Sequence, residues 1–579
     1  MRLRIDLPMK EWLRAHSQMS VACDRWLLLL AFGWLIPLAV QAQGEGEIEK
    51  VEIEIVKNRE VSVPQAARNF EKIPPRPVEP IKPEISYEFG NLSFNVAEYN
   101  PIIRPLRLKA EPISKIYGNY ISAGLGNYAS PYGEAYLTNK RNKNKYYGLK
   151  FFHRSFMNGP VDDKNSASGN TTFRLFGKTM TNNVAIGGFA NWENTATYFY
   201  GYQPGTVTDR STIRQNYNTL SLGGELENSK LSNLMYSLKA GYSYLTDHYS
   251  ASEGEVNLNF LSQYKIDEKK KVIINSDYFL ITRKDELINP KARHIFKVKP
   301  AYQFTPIDKL SLTAGANIVV ENDTIGKQNG LHVYPNLAAS YQLSPSVEGY
   351  AGLTGDVDKV SLHSLSRENV WLNSNIAIFN TNRTAEFLAG LKGKVSGKVT
   401  FGAGLSFATL KNFYYYQSGT GALRSKFDVV YDNGNTQRTN LFGELGYSNE
   451  AFKLNARGDY YSYATSIADQ ITHQNSYEKT GLNRPTYRLT INSSYNIFDK
   501  LLLSADFIAQ GGIKALDLDS KNLTSLKAAA DLNFKASYFV SKQFSLFVNF
   551  NNILSSDYQL YLNYPVRGFQ VMGGASWNF

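Results

Sequence analysis

The sequence predicts an all-β fold: a closed, antiparallel transmembrane β-barrel of about twenty-two strands, within a range of roughly 16–24. Three observations predict it. From about Ile116 to the end, segments of roughly ten to fourteen residues alternate apolar and polar side chains, the period of a strand. Short polar turns and longer polar stretches then alternate along the chain, as strands running up and down a barrel require. Finally, 38 Tyr and 32 Phe accompany this polar texture, although no stretch after residue 43 is apolar long enough to cross a bilayer as a helix.

Taken in order, residues 1–42 read as a signal peptide. The apolar run Trp26–Val40 follows Arg14 and Arg25 and ends in Val40-Gln41-Ala42, small residues at cleavage spacing, so cleavage is expected after Ala42. Met9 or Met19 would serve as a start with a shorter charged lead. A single transmembrane anchor would need a longer run without a cleavage site. Cys23, the one cysteine, lies before the apolar run, so the processed chain would hold no disulfide, thiolate zinc site or cysteine nucleophile. The leader takes five basic and three acidic residues with it, lowering the net charge from +12 to +10. Lys and Arg are dispersed among Tyr and Phe without a basic block, which argues against nucleic acid. A solvated face is expected, with anionic lipid or lipopolysaccharide phosphate as partners.

Residues 43–115 form a separate segment. It opens with the alternating charged run Glu47–Glu54 and continues into Pro74, Pro75, Pro77, Pro80 and Pro83, a spacing that favours extended polyproline II over a packed domain. It is expected to be a periplasmic spacer or an arm that docks a periplasmic or outer-membrane protein. Short strands at Ile85–Phe89 and Leu92–Val96 fit the pattern.

The barrel proper is expected over 116–579. Ala530, Leu532, Phe534, Ala536 and Tyr538 share one face, and Asp531, Asn533, Lys535 and Ser537 the other. Phe452, Leu454, Ala456, Gly458 and Tyr460 oppose Lys453, Asn455, Arg457 and Asp459, with the pattern breaking at Tyr461-Ser462-Tyr463. Strands this long match a tilted crossing of a bilayer, with the apolar face toward lipid and the polar face lining a lumen. Because lipid cannot satisfy an open edge, the sheet must close. A secreted β-helix or propeller would need a fixed repeat, and none is visible. Short turns are expected near Asn182, Thr305–Asp308, Ser344–Ser346, Ser396-Gly397, Ser448–Glu450, Asp499 and Ser541-Lys542, and long loops at 195–213, 355–383, 409–435, 464–483 and 510–525. Glu386, Glu444, Asp506, Asp531, Lys150, Lys239, Lys392 and Arg488 should line the lumen; their mixed signs suggest a salt-bridged interior.

The last strand places Phe569, Val571, Gly573, Ala575, Trp577 and Phe579 on one face and ends on an aromatic residue, resembling the signal read by the barrel assembly machinery. The run from Val548-Asn549-Phe550-Asn551-Asn552-Ile553-Leu554 through Tyr564-Pro565-Val566-Arg567-Gly568-Phe569 to Trp577-Asn578-Phe579 resembles the end of a TonB-dependent receptor barrel of Bacteroidetes type. The resemblance implies a bacterial outer-membrane barrel acting in solute transport, or as a membrane component of a larger complex. Such receptors carry a plug of more than a hundred residues before the barrel, whereas about seventy stand here between leader and barrel. A complete plug is therefore not expected, and no TonB box is evident, although Val51–Val56 is extended and charged enough to pair with a partner strand. A barrel of this size needs filling, by the proline-rich arm, by loops folded inward or by another protein.

Chemistry-bearing motifs are sparse. The seven histidines are scattered without metal-ligand spacing, and no Gly-x-Ser-x-Gly, P-loop or dinucleotide fingerprint occurs, so neither cofactor nor enzymatic activity is expected. An outer-membrane hydrolase is the alternative; it would need a Ser/His or Asp/His set assembled in space. Two aromatic clusters on expected outer loops are the candidate ligand contacts: Tyr198, Phe199, Tyr200 and Tyr202, and Phe413, Tyr414, Tyr415 and Tyr416. Stacked rings there could hold sugar or peptide; the competing reading is interfacial girdle or loop packing.

Overall fold

A computed structural model describes residues 117–139, 142–323 and 330–579. The leader, the proline-rich segment and the short strands expected at 85–96 lie outside the described residues. Twenty-two strands form one antiparallel sheet that closes on itself. The first strand (Asn119–Gly126) pairs with the last (Gln570–Asn578), Gly124 facing Gly574 and Ile121 facing Trp577. Most strands run 11–16 residues, but those beside this seam, Asn119–Gly126, Ser130–Thr138, Phe544–Asn551 and Gln570–Asn578, run only eight or nine.

Pleating decides what each face meets. In the strand Leu234–Thr246, Leu234, Leu238, Tyr242 and Tyr244 point outward and remain exposed; in Asn435–Ser448, Leu441 and Leu445 do the same. Large apolar side chains thus stay uncovered around the outside, an arrangement that costs heavily in water and nothing in hydrocarbon. The opposite face carries a ladder of ion pairs. Asp356 accepts from Lys297 at 2.9 Å and Lys299 at 2.7 Å, Glu386 lies between Arg383 and Arg438, and Lys178 reaches Glu225 and Glu227. Of the residues expected there, Glu444 pairs with Arg457, Lys392 with Glu348, and Asp506 accepts from Asn492. Lys150, Lys239 and Arg488 share that face by register with Arg174, Glu225 and Asp459.

Aromatic rings on the inner wall lie over glycines of the neighbouring strand. A methyl group at Gly223 would meet the Phe189 ring at 2.5 Å, and one at Gly404 the Phe442 ring at 2.8 Å. Glycine is required at such positions so that the ring can lie flat against the backbone.

Turns at one end are two to six residues long, such as Asp308-Lys309, Pro345-Ser346 and Gly397-Lys398. At the other end most connections are longer, reaching 359–380, 412–434, 465–486, 512–528 and 552–569. The expected long loops 355–383, 409–435, 464–483 and 510–525 are each displaced by up to four residues at their ends, and two further boundaries differ. The strand Val184–Tyr198 runs past 195, and Arg293–Ile307 absorbs Thr305, Pro306 and Ile307, with a register shift between Phe304 and Ile307 accommodating the proline. Tyr461 and Tyr463, where the alternation breaks, still belong to the strand Phe452–Ala464. They fall on the inner face near the long-loop end, stacked on each other, and Tyr463 stacks on Phe413.

Candidate functional site

The main packed core lies among the long loops, not between the strands. Most of the largest buried side chains belong to these connections, including Tyr415, Tyr416, Tyr564, Phe199, Phe427, Leu365 and Leu372. The loops carry their own secondary structure: helix α1 (Leu362–Glu368), the hairpin Tyr414–Ser418 with Phe427–Tyr431, helix α2 (Ile467–Thr472), the hairpin Lys514–Asp517 with Asn522–Ser525, and the ribbon Gln559–Tyr561 with Tyr564-Pro565. Helix α1 begins at Ser361, whose hydroxyl accepts from Ser364 N–H in a reciprocal capping box. The Glu253 carboxylate accepts from the Leu362 and His363 N–H groups at 2.7 and 2.9 Å, seating the positive helix end on a barrel strand.

Tyr564 is the centre of the cap. Its ring stacks on Trp371 at 3.9 Å and meets Tyr200 edge-on at 4.7 Å, while its hydroxyl donates to the Ser425 carbonyl. Trp371 donates its indole N–H to the Tyr198 carbonyl at 3.1 Å. Four loops (199–213, 359–380, 412–434 and 552–569) therefore meet around two rings. The loop 199–213 joins the fifth and sixth barrel strands, and 412–434 the fifteenth and sixteenth, almost half the circumference away. Lys426 nevertheless sits 5.0 Å from the Phe199 ring and 4.3 Å from Tyr249, so these contacts cross the mouth.

Two polar knots fasten the cap. Glu368, at the end of α1, accepts from Arg484 at 2.6 Å and from the Tyr414 hydroxyl at 2.6 Å, and Tyr561 donates to the Glu368 carbonyl. Burial opposes charge on Arg484, but Glu368 together with Tyr414, Tyr463 and Tyr416 outweighs it and holds the guanidinium protonated, about 5 Å from the rings of Phe413 and Tyr414. Burial and the same carboxylate push the Tyr414 phenol up, and burial alone pushes Tyr200 up to about 12, so both phenols stay neutral donors. Asp432 accepts from Thr436 at 2.7 Å, Thr465 at 2.8 Å, and Gln470 and Gly434 N–H at 2.9 Å, tying 412–434 to 465–486. Burial raises its pKa, yet these hydrogen bonds together outweigh burial and leave the carboxyl below its ordinary value.

Both sequence-predicted aromatic clusters come together in this cap. Tyr200 and Tyr416 belong to one buried cluster, with Tyr202 and Tyr414 packed against it; Tyr415 belongs to a second with Phe413 beside it. Phe199, Tyr415 and Tyr416 are at most 1% exposed. Tyr202 donates to Asp162 at 2.5 Å, and Tyr198 lies under Arg210. Sequence reasoning missed Trp371, Tyr561, Tyr564, Glu368 and Arg484. The one signal for them is the spacing of Tyr558, Tyr561 and Tyr564 and a tryptophan inside a long polar stretch. At the rim, a cavity of about 540 Å³ is lined by Thr246, Asp247, Lys284, Asp285 and Glu286. Among the described residues, no group of three His, Cys, Asp or Glu side chains could hold a metal ion.

No protein-family model matches the sequence, and neither does any curated protein. Solved structures do share the architecture. The ferripyoverdine receptor of the outer membrane of Pseudomonas aeruginosa superposes with a TM-score of 0.61 at 12% identity, over 80% of this chain and 72% of that one. The ferric-catecholate import receptor Fiu of Escherichia coli K12 gives 0.61 at 10% identity, over 80% and 82%. The FrpB iron transporter of Neisseria meningitidis gives 0.60 at 10%, over 81% and 82%. At such identities the likeness is one of fold.

Proposed function

We propose that this chain is a TonB-dependent-receptor-like barrel of the bacterial outer membrane, of Bacteroidetes type, that conducts a solute through a gated lumen and performs no catalysis. The observation that carries the reading is the cap: loops from opposite sides of a polar, ion-paired interior interlock across one mouth through Trp371, Tyr564 and Lys426. A barrel serving only as an anchor has no need of such a closure. The continuous apolar exterior supports the membrane setting. Neighbours described as import receptors and an iron transporter support transport over other uses of the fold. In this reading residues 44–115 stand in place of a full plug, and their charged start, Val51–Val56, offers a strand to a periplasmic partner. The cap rings Tyr198, Tyr202 and Phe413, which keep partial exposure, are the proposed first contacts for an incoming solute.

The test is conductance of the purified chain in a planar bilayer. The native barrel should pass little current, and loosening the cap by Trp371→Ala should raise it several-fold. A barrel silent in both forms that copurifies with stable envelope proteins would replace transport with a role as the membrane component of a complex. Turnover of lipid or peptide by the refolded barrel would overturn the non-catalytic reading.

A further inference from the structure

We propose that one row of the inner wall binds the phosphate group of a passing solute. The proposal rests on the transport reading and names the class of its cargo. Strand register sets Lys150 and Arg174 directly opposite each other on the inward face, with Asn191 opposite Arg174 on its other side. Ser221 faces Asn191 in turn, and Ser243 faces Ser221. Five neighbouring strands thus hold a lysine, an arginine, an amide and two hydroxyls in one line, spaced about 4.8 Å apart. Every member can donate a hydrogen bond, and none carries negative charge.

Like charges directly opposite on a sheet repel each other. Elsewhere the inner wall relieves that repulsion. Lys297 and Lys299 share Asp356, Arg383 and Arg438 share Glu386, and Lys178 is clamped by Glu225 and Glu227. Lys239 and Arg488 each face an acid across the strands, Glu225 and Asp459. Lys150 and Arg174 face no acid, and among the described residues neither forms an ion pair or a side-chain hydrogen bond. The carboxylates next along the face are engaged elsewhere. Glu134, one step from Tyr136, accepts from the Tyr132 hydroxyl at 2.8 Å, and Glu193, one step from Asn191, lies 3.7 Å from Arg367 of the cap. An anion seated between the two cations would turn their repulsion into attraction.

The arginine is already oriented for such a guest. Its Cζ lies 4.2 Å from the centre of the Phe189 ring. Stacking holds the guanidinium by its face and leaves the N–H edge to meet an oxyanion with paired hydrogen bonds. Lys150 adds a second full charge beside it, and Asn191 adds an uncharged donor. A doubly charged phosphate matches both the charge and the donors, whereas chloride cannot use the fork. Lysine and arginine rings are the general means by which pores select phosphate and other anions. Both residues stand near the middle of their strands, Lys145–Phe156 and Ser168–Met180, so the row lies well below the cap and faces away from lipid.

The experiment uses the full chain in detergent, with inorganic phosphate titrated against a chloride background of constant ionic strength and binding followed by the width of the phosphorus NMR line. The wild-type protein should broaden the line. Lys150→Met with Arg174→Met should weaken binding about tenfold or more, and Arg174→Lys, which keeps the charge but loses the fork, about threefold. Lys392→Met on the opposite wall should leave it unchanged. All variants are compared as folded barrels, judged by heat-sensitive gel mobility, and Asn191→Leu, which alters no charge, gives a milder loss if the double change does not fold. Added lipopolysaccharide should not compete, which separates a site for a free phosphate from one for a lipid headgroup. A line that the wild type leaves sharp, binding that survives the changes at Lys150 and Arg174, or displacement by lipopolysaccharide overturns the proposal. Binding is read at equilibrium and conductance reads passage, so this idea and the transport reading fail separately.

Discussion

Replacing Tyr564 by alanine should open the cap without unfolding the barrel. The side chain is 2% exposed, packs on Trp371, Tyr200 and Phe427, and donates a hydrogen bond to Ser425. Truncating a buried aromatic of this size costs about 3–5 kcal/mol. Tenfold in an equilibrium corresponds to about 1.4 kcal/mol, so local opening of the cap should become roughly a hundred to a few thousand times more frequent. Amide hydrogen exchange followed by mass spectrometry separates the two regions: peptides from 359–380 and 412–434 should exchange faster by that factor, while strand peptides such as Ser252–Asp267 keep their native protection. The reasoning fails if the cap peptides exchange within about threefold of wild type, or if the strands lose protection to the same extent.

Asp432→Ala removes the acceptor shared by Thr436, Thr465, Gln470 and Gly434 and should destabilise the joint between 412–434 and 465–486 by about 2–3 kcal/mol, read as faster exchange around α2. His363 is held down to about 4, by burial first and then by Arg367 and Lys359. Because the opened loop binds a proton more readily than the closed one, the cap should weaken as pH falls from about 6.5 to about 4 and change no further below that. His363→Gln should flatten that profile in exchange measured against pH. Glu386→Gln leaves Arg383 and Arg438 facing each other on the inner wall and should cost about 3 kcal/mol, visible as a lower temperature for loss of the folded gel mobility.

Period-two alternation, turn residues and an aromatic last strand were enough to read the barrel, its strand number and most of its turns, because a strand with one face in lipid must write that face into every second residue. The Thr305–Ile307 boundary was less legible, since a proline can be absorbed by a bulge that only the partner strand reveals. The cap was legible only as aromatic clusters. Trp371, Glu368, Arg484 and Tyr564 sit in three different connections, and nothing periodic links residues that meet across a barrel mouth. Tyr463 illustrates the same limit: its place on the inner face goes with packing on Phe413, a loop contact remote in sequence.

The central claim, that the outer face of the wall meets hydrocarbon while the cap does not, is tested most directly by tryptophan quenching in liposomes of lipids brominated along their acyl chains. Among the described residues the tryptophans are Trp192 and Trp577, which face outward and are 40% and 51% exposed, and Trp371 inside the cap. In variants that retain one of the three, the emission of Trp192 and Trp577 should be quenched strongly and that of Trp371 left unchanged. Unquenched Trp192 and Trp577, or quenching equal at all three positions, would contradict the account.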